Sequence, residues 1–129
     1  MKIKTSELTG AALDWAVAKC EGYSQECLDD IALTGQQYES GFYSTDWAQG
    51  GPIIEREEIS VSREFASSRI EWAAWTPAPI RDESEAFGYG PTPLVAAMRC
   101  YVASKLGDTV DVPDDLVWDE LIYEKGDDE

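Results

Sequence analysis

Apolar residues recur along this chain at two spacings, and the spacing separates helices from strands. Lys2-Ile3-Lys4-Thr5 reads as a short opening strand. From Thr9 the period lengthens: Leu13, Ala16, Val17 and Cys20 follow the i, i+3, i+4, i+7 rule on one helical face. Thr9 is the expected N-cap, Gly22 the left-handed stop, and Trp15 lies at the edge of the apolar stripe. Residues 23–40 are polar, with only Cys27, Leu28, Ile31 and Leu33 clustered, and fit a helical turn or an irregular excursion equally well. Pro52, after Gly50-Gly51, suits the first position of a short helix through Ile53, Ile54 and Glu55.

Alternation then returns. Ile59-Ser60-Val61-Ser62 predicts one strand and Arg69–Thr76 a second, with Ile70, Trp72 and Ala74 on one face and Glu71, Ala73 and Trp75 on the other. Pro77 and Pro79 end it, and residues 80–91 read as a loop closing in Phe87-Gly88-Tyr89-Gly90-Pro91. The strongest pattern follows. Thr92 caps, Pro93 takes the first position, Leu94, Ala97, Met98, Tyr101 and Val102 form the stripe, Lys105 complements the macrodipole and Gly107 closes the helix. Val110-Asp111-Val112 predicts a short strand. Asp114 or Asp115 would cap a final segment carrying Leu116, Trp118, Leu121 and Ile122, as helix or strand. The expected fold class is α+β, a single small domain over 1–129: a short, mostly antiparallel sheet with two principal helices packed on it, and an acidic C-terminal segment from about 107.

Composition narrows the function. With 129 residues, 43% apolar and 11% aromatic, the chain has enough to build a core, which argues against wholesale disorder. No apolar run approaches the roughly 20 residues of a membrane span, and no apolar segment follows Lys2 and Lys4 as in a signal peptide. A soluble, cytoplasmic protein is expected. Twenty-six acids against ten bases give a net charge of −16, which disfavours direct binding of a nucleic-acid backbone. Residues 107–129 alone carry ten acids and one base. That segment is either a solvated tail or a surface for a basic host protein partner.

The chain has no histidine, so neither a Ser–His or Cys–His nucleophile pair nor a histidine metal site exists. Cys20, Cys27 and Cys100 show no CxxC spacing; Cys20 and Cys100 read as small buried hydrophobes. Paired acids such as Glu57–Glu58 read as solvated. No catalytic residue, metal or cofactor is expected.

Two aromatic, glycine-containing stretches read instead as ligand-binding segments. In the first, Tyr43 and Trp47 offer flat faces, Ser44 and Thr45 hydroxyls, Asp46 a carboxylate, and Gly50-Gly51 a close backbone approach. In the second, Tyr89 precedes the helix capped by Thr92. Arg56 and Arg99 are the scarce cations able to grip a phosphate through two N–H groups. Trp75, on the less apolar face of its strand, is the tryptophan expected to line a pocket or an interface. Structural explanations compete for each residue: Gly-Gly-Pro also turns corners, and aromatics also plug loops.

Three blocks carry a resemblance: residues 1–22 (Met1-Lys2-Ile3-Lys4 through Lys19-Cys20-Glu21-Gly22), 43–57 (Tyr43-Ser44-Thr45-Asp46-Trp47 through Arg56-Glu57) and 90–107 (Gly90-Pro91-Thr92-Pro93 through Leu106-Gly107). Together they resemble the NinX-like proteins of lambdoid phages and prophages. The resemblance implies a small accessory protein acting in the bacterial cytoplasm and brings no established activity. Two functions are expected from the residues together with the phage origin that the resemblance implies. One is a non-enzymatic, homo-oligomeric binder that sequesters a small nucleotide-type signal of bacterial immunity; the alternative is an acidic, DNA-mimicking inhibitor of a host nuclease or DNA-binding protein.

Overall fold

The structure, a computed structural model, describes residues 1–34, 42–66, 69–77, 86–114 and 116. The elements run β1 (Lys2–Lys4), a 3-10 turn (Thr5–Glu7), α1 (Gly10–Cys20), α2 (Gln25–Thr34), α3 (Trp47–Arg56), β2 (Ser60–Ala66), β3 (Arg69–Trp75), β4 (Phe87–Gly90), α4 (Pro93–Leu106) and β5 (Thr109–Asp111). The α+β class is as expected. Four helices, rather than two, accompany a three-stranded antiparallel sheet, β2-β3-β4, and a separate two-stranded antiparallel ribbon, β1-β5.

Helix α4 is the axis of the molecule. Thr92 caps it by accepting from the Val95 N–H at 3.1 Å, Pro93 opens it, and Gly107 ends it at φ +90, a conformation that costs glycine little. One side packs on α1, where Leu13, Ala16 and Val17 meet Met98, Tyr101 and Val102 in the buried core. The other side carries the sheet. Residues paired across an antiparallel ladder point to the same side, so Ala74, Gly88, Trp72 and Gly90 share one face. A Cβ at Gly88 would lie 2.3 Å from the Ala96 carbonyl oxygen and 2.5 Å from the Cys100 nitrogen. Strand β4 therefore rests backbone to backbone on the helix, which no larger residue permits.

Three expectations are corrected. Residues 87–90 form strand β4 rather than the end of a loop, because glycines at every second position match a strand's two-residue period against α4. The 23–40 stretch contains the helix α2, anchored where the Trp15 indole N–H donates to the Leu28 carbonyl at 3.1 Å. Helix α3 starts at Trp47, not Pro52, since Asp46 accepts the Ala48 N–H at 3.0 Å and Gln49 braces the same turn. Pro52 falls inside that helix on its solvent side. At the N-terminus of α1, Thr9 is the N-cap as expected, extended and without a side-chain cap bond. Residues 35–41, residues 80–85 of the 80–91 loop, and Trp118, Leu121 and Ile122 with the rest of 117–129 lie outside the described residues.

Candidate functional site

The residues expected to bind a ligand separate into two groups. Around the start of α3, Tyr43 is buried and its hydroxyl hydrogen-bonds that of Tyr23 at 3.0 Å; burial, then this bond, raises its pKa. The Ser44 N–H donates to buried Asp14 at 2.8 Å, while the Ser44 Oγ is itself buried with no partner among the described residues. Thr45 and Trp47 are exposed, and Asp46 is occupied as the N-cap of α3. Gly50 and Gly51 lie within the helix, so the expected open glycine turn does not form. The Gly50 N–H bonds the Asp46 carbonyl at 2.9 Å, and a Cβ there would come within 2.4 Å of the Tyr43 oxygen. Gly50 serves packing between α3 and its lead-in loop.

Arg56 closes α3 in a dense charge network. Its guanidinium grips Glu21 through two bonds of 2.7 and 3.2 Å, and donates to Glu57 at 2.8 Å and to the Tyr101 hydroxyl at 3.0 Å. Tyr101 in turn donates to Glu21 at 2.5 Å. Burial raises the Glu21 carboxyl pKa, but the bonds from Arg56 and Tyr101 outweigh it and hold the group below its ordinary value. Two carboxylates thus neutralise Arg56, which ties α1, α3 and α4 together.

Arg99 lies on a different side of α4. Two residues along an α-helix are about 200° apart around its axis, so Arg99 points away from Tyr101 and the Arg56 network. Its Nε donates to the Leu8 carbonyl and its Nη1 to the Tyr89 carbonyl, each at 2.7 Å. Burial lowers its pKa, opposed by Glu71 and Glu7, and an arginine so placed keeps its charge. The two bonds use two of five N–H donors, and both acceptors are neutral main-chain oxygens.

That guanidinium enters a cavity of about 330 Å³ lined by Lys4, Thr5, Ser6, Phe87, Arg99, Ala103, Asp108 and Thr109. Helix α4 supplies the floor, since Arg99 and Ala103 are four residues apart on one face and Ala103 is small enough to leave room. Phe87 of β4 and Lys4 and Thr109 of the ribbon complete the lining with the 3-10 turn and Asp108. The 3-10 turn is fixed by the Thr5 Oγ1 donating to the Gly107 carbonyl at 2.6 Å and by the Thr5 N–H to that of Asp108 at 2.7 Å. Phe87, at 52% exposure, offers an aromatic face, and Tyr89, at 51%, lies beside it on the outer side of the sheet. Trp75, directly opposite Phe87 in the ladder, belongs to that outer side as well.

The structure therefore joins Arg99 to the Tyr89 backbone, places Thr92 at the N-cap of the same helix, and leaves the 43–56 group elsewhere. Lys4, Thr5, Ser6, Phe87, Ala103, Asp108 and Thr109 were not among the expected site residues. The Phe-Gly-Tyr-Gly alternation was the available signal for Phe87, because a strand that buries its glycines must expose its aromatics.

The family described as bacteriophage P22, NinX matches residues 4–105. The chain belongs to the phage P22 NinX family. Comparison with curated proteins finds no match. The NinX match includes Lys4, Thr5, Ser6, Phe87, Arg99 and Ala103 of the cavity and stops short of Asp108 and Thr109. Among the described residues no helix is long and apolar enough to cross a membrane.

Proposed function

We propose that this NinX-family protein is a non-enzymatic accessory protein. In this reading it binds and sequesters a small nucleotide-type immune signal in the cytoplasm of the infected bacterium, countering anti-phage defence. One observation carries the reading: in a chain of net charge −16, a single cavity gathers two cations, Lys4 and Arg99, against one carboxylate, and adds the aromatic wall of Phe87. A phosphate needs donors whose charge is not already neutralised, and Arg99, held by carbonyls, keeps its charge. A base needs a flat apolar face, which Phe87 offers; the hydroxyls of Thr5, Ser6 and Thr109 supply polar contacts. The volume suits a small ligand, small-molecule sites running from about 300 to 1,000 Å³. A second copy covering the outer aromatics Phe87, Tyr89 and Trp75 would deepen the cavity, so the reading includes a homo-oligomer.

Native mass spectrometry of the purified protein, alone and with a panel of cyclic oligonucleotides and ADP-ribose derivatives, tests the proposal. A defined oligomer that retains one compound at fixed stoichiometry and releases it intact on heating is expected. A protein indifferent to the whole panel would sink the reading. The acidic inhibitor of a host nuclease or DNA-binding protein would then take its place, tested by deleting residues 124–129 and repeating a host-lysate pull-down.

A further inference from the structure

Strand β4 stands at one end of the sheet order β2-β3-β4, so one of its edges has no neighbouring strand. The ladder decides which main-chain groups turn to that edge. The Thr76 N–H donates to the Ala86 carbonyl at 3.1 Å. In an antiparallel strand the N–H and C=O of one residue share a side, and the side alternates along the chain. Ala86, Gly88 and Gly90 therefore turn theirs to β3, whereas Phe87 and Tyr89 turn theirs outward. Arg99 agrees with this phase, since its Nη1 donates to the Tyr89 carbonyl at 2.7 Å. Among the described residues, neither the N–H nor the C=O of Phe87 has a hydrogen-bond partner. The Arg99 bond also locates the cavity. Its guanidinium stands on the open edge of β4 and lines the cavity together with Phe87, so the cavity lies along that edge.

An N–H beside a C=O on an open edge is complementary to any group that offers an acceptor beside a donor, as a second strand does. The edge of a nucleobase is such a group. Adenine, cytosine, guanine and uracil each carry an N–H next to a nitrogen or oxygen acceptor, and proteins read bases along these edges. The described lining residues include no Asn or Gln, whose side-chain amide would supply the same pair, so the main chain is where the pair is found. We infer that the main chain of Phe87 reads the base of the cavity ligand, its N–H donating and its C=O accepting, with the phosphate on Arg99 and Lys4. This rests on the nucleotide-binding reading above and deepens it. A base so held continues the plane of the sheet. Helix α4, with Ala103, lies on one side of that plane, and the register puts the Phe87 side chain on the other. The two faces of the base thus meet a methyl group and an aromatic ring.

Amide hydrogen exchange by NMR and calorimetric titration of the full chain with AMP, GMP, CMP, UMP and ribose 5-phosphate test the inference. In the free protein the Phe87 amide should exchange readily while that of Gly88, bonded to β3, is protected. A nucleotide that binds should slow exchange at Phe87 by roughly 10-fold or more, and ribose 5-phosphate should leave it unchanged. Two variants separate ring from main chain. Phe87→Ala removes the ring and keeps both main-chain groups; Phe87→Pro removes the N–H as well, which the open edge of a sheet tolerates. Phe87→Pro should bind the nucleotide about 10-fold or more weakly than Phe87→Ala, the cost of one unmade hydrogen bond. Should circular dichroism show Phe87→Pro unfolded, exchange in the unaltered chain decides alone. Three results would each overturn the main-chain reading while nucleotide binding stood: bound nucleotide with Phe87 exchange unchanged, ribose 5-phosphate binding as tightly as the nucleotides, or equal affinity of folded Phe87→Pro and Phe87→Ala. No binding by any of the five compounds would overturn both.

Discussion

Arg56 and Arg99 both lie against α4, and the difference between their surroundings separates a structural site from a candidate binding site. Arg56 meets two carboxylates and a tyrosine, so its charge is spent within the protein. Arg99 donates to two peptide carbonyls, which orient the guanidinium, and Glu71 and Glu7 act on it through charge, with no hydrogen bond to either among those described. The glycines beside them differ in the same way. Gly50 and Gly51 are helical, and Gly50 fills a gap between α3 and its lead-in loop, whereas Gly88 lets β4 lie on α4 so that Phe87 and Tyr89 face outward. Two stretches with the same inventory of glycine, aromatic and arginine thus do different work, because partners remote in sequence decide which polar groups remain available.

The glycines give the largest test of this contrast. Gly88→Ala and Gly50→Ala each force a Cβ onto main-chain atoms that cannot swing aside, and should cost about 3 kcal/mol or more, the upper end for overpacking. Gly51→Ala meets only the Trp47 ring at 3.8 Å and should instead stabilise α3 by about 0.5–1 kcal/mol. Urea denaturation of the three variants measures both effects, and equal losses at positions 50 and 51 would show that α3 is not placed as described.

Next come the arginines. Arg99→Gln should weaken binding of a nucleotide ligand by roughly 10- to 100-fold, the range of a charge-assisted hydrogen bond, and Arg56→Gln should leave affinity unchanged. Titration of both variants with the same compound separates the sites; an effect of Arg56→Gln as large as that of Arg99→Gln would reverse their roles. The smallest effect is one of pH. Because the folded Glu21 carboxyl titrates below its ordinary value of 4.5, its contribution to stability is complete above that pH and is lost as pH falls through the lower folded value. Glu21→Gln should flatten that decline in a pH series of thermal melts and change stability at neutral pH by less than about 1 kcal/mol, as expected for a pair that water reaches.

Much of the frame was legible in the residues. The α4 stripe with Thr92, Pro93 and Gly107 at its ends, the α1 stripe, and the opposite faces of Trp72 and Trp75 all follow from local period and capping chemistry. Helix α3 was misplaced because Gly50-Gly51-Pro52 reads as a turn, while the decisive signal, Asp46 with Gln49 three residues on, is a side-chain bracing that shows only once the Ala48 N–H has a partner. Strand β4 was missed because a four-residue Phe-Gly-Tyr-Gly run has too little intrinsic strand character and depends on α4 to hold it.

The sequence by itself determined the class of the protein: α+β, strongly acidic, without histidine, with its two principal helices and its apolar stripes where periodicity puts them. Those properties depend on composition and on neighbours a few residues apart. Which arginine keeps its charge, which aromatics face outward, and the joining of Lys4, Phe87, Arg99 and Asp108 around one cavity were decided by tertiary structure alone. These groups are spread over residues 4–108 of the chain, and only the packing of β4 and the β1-β5 ribbon against α4 brings them within reach of one ligand.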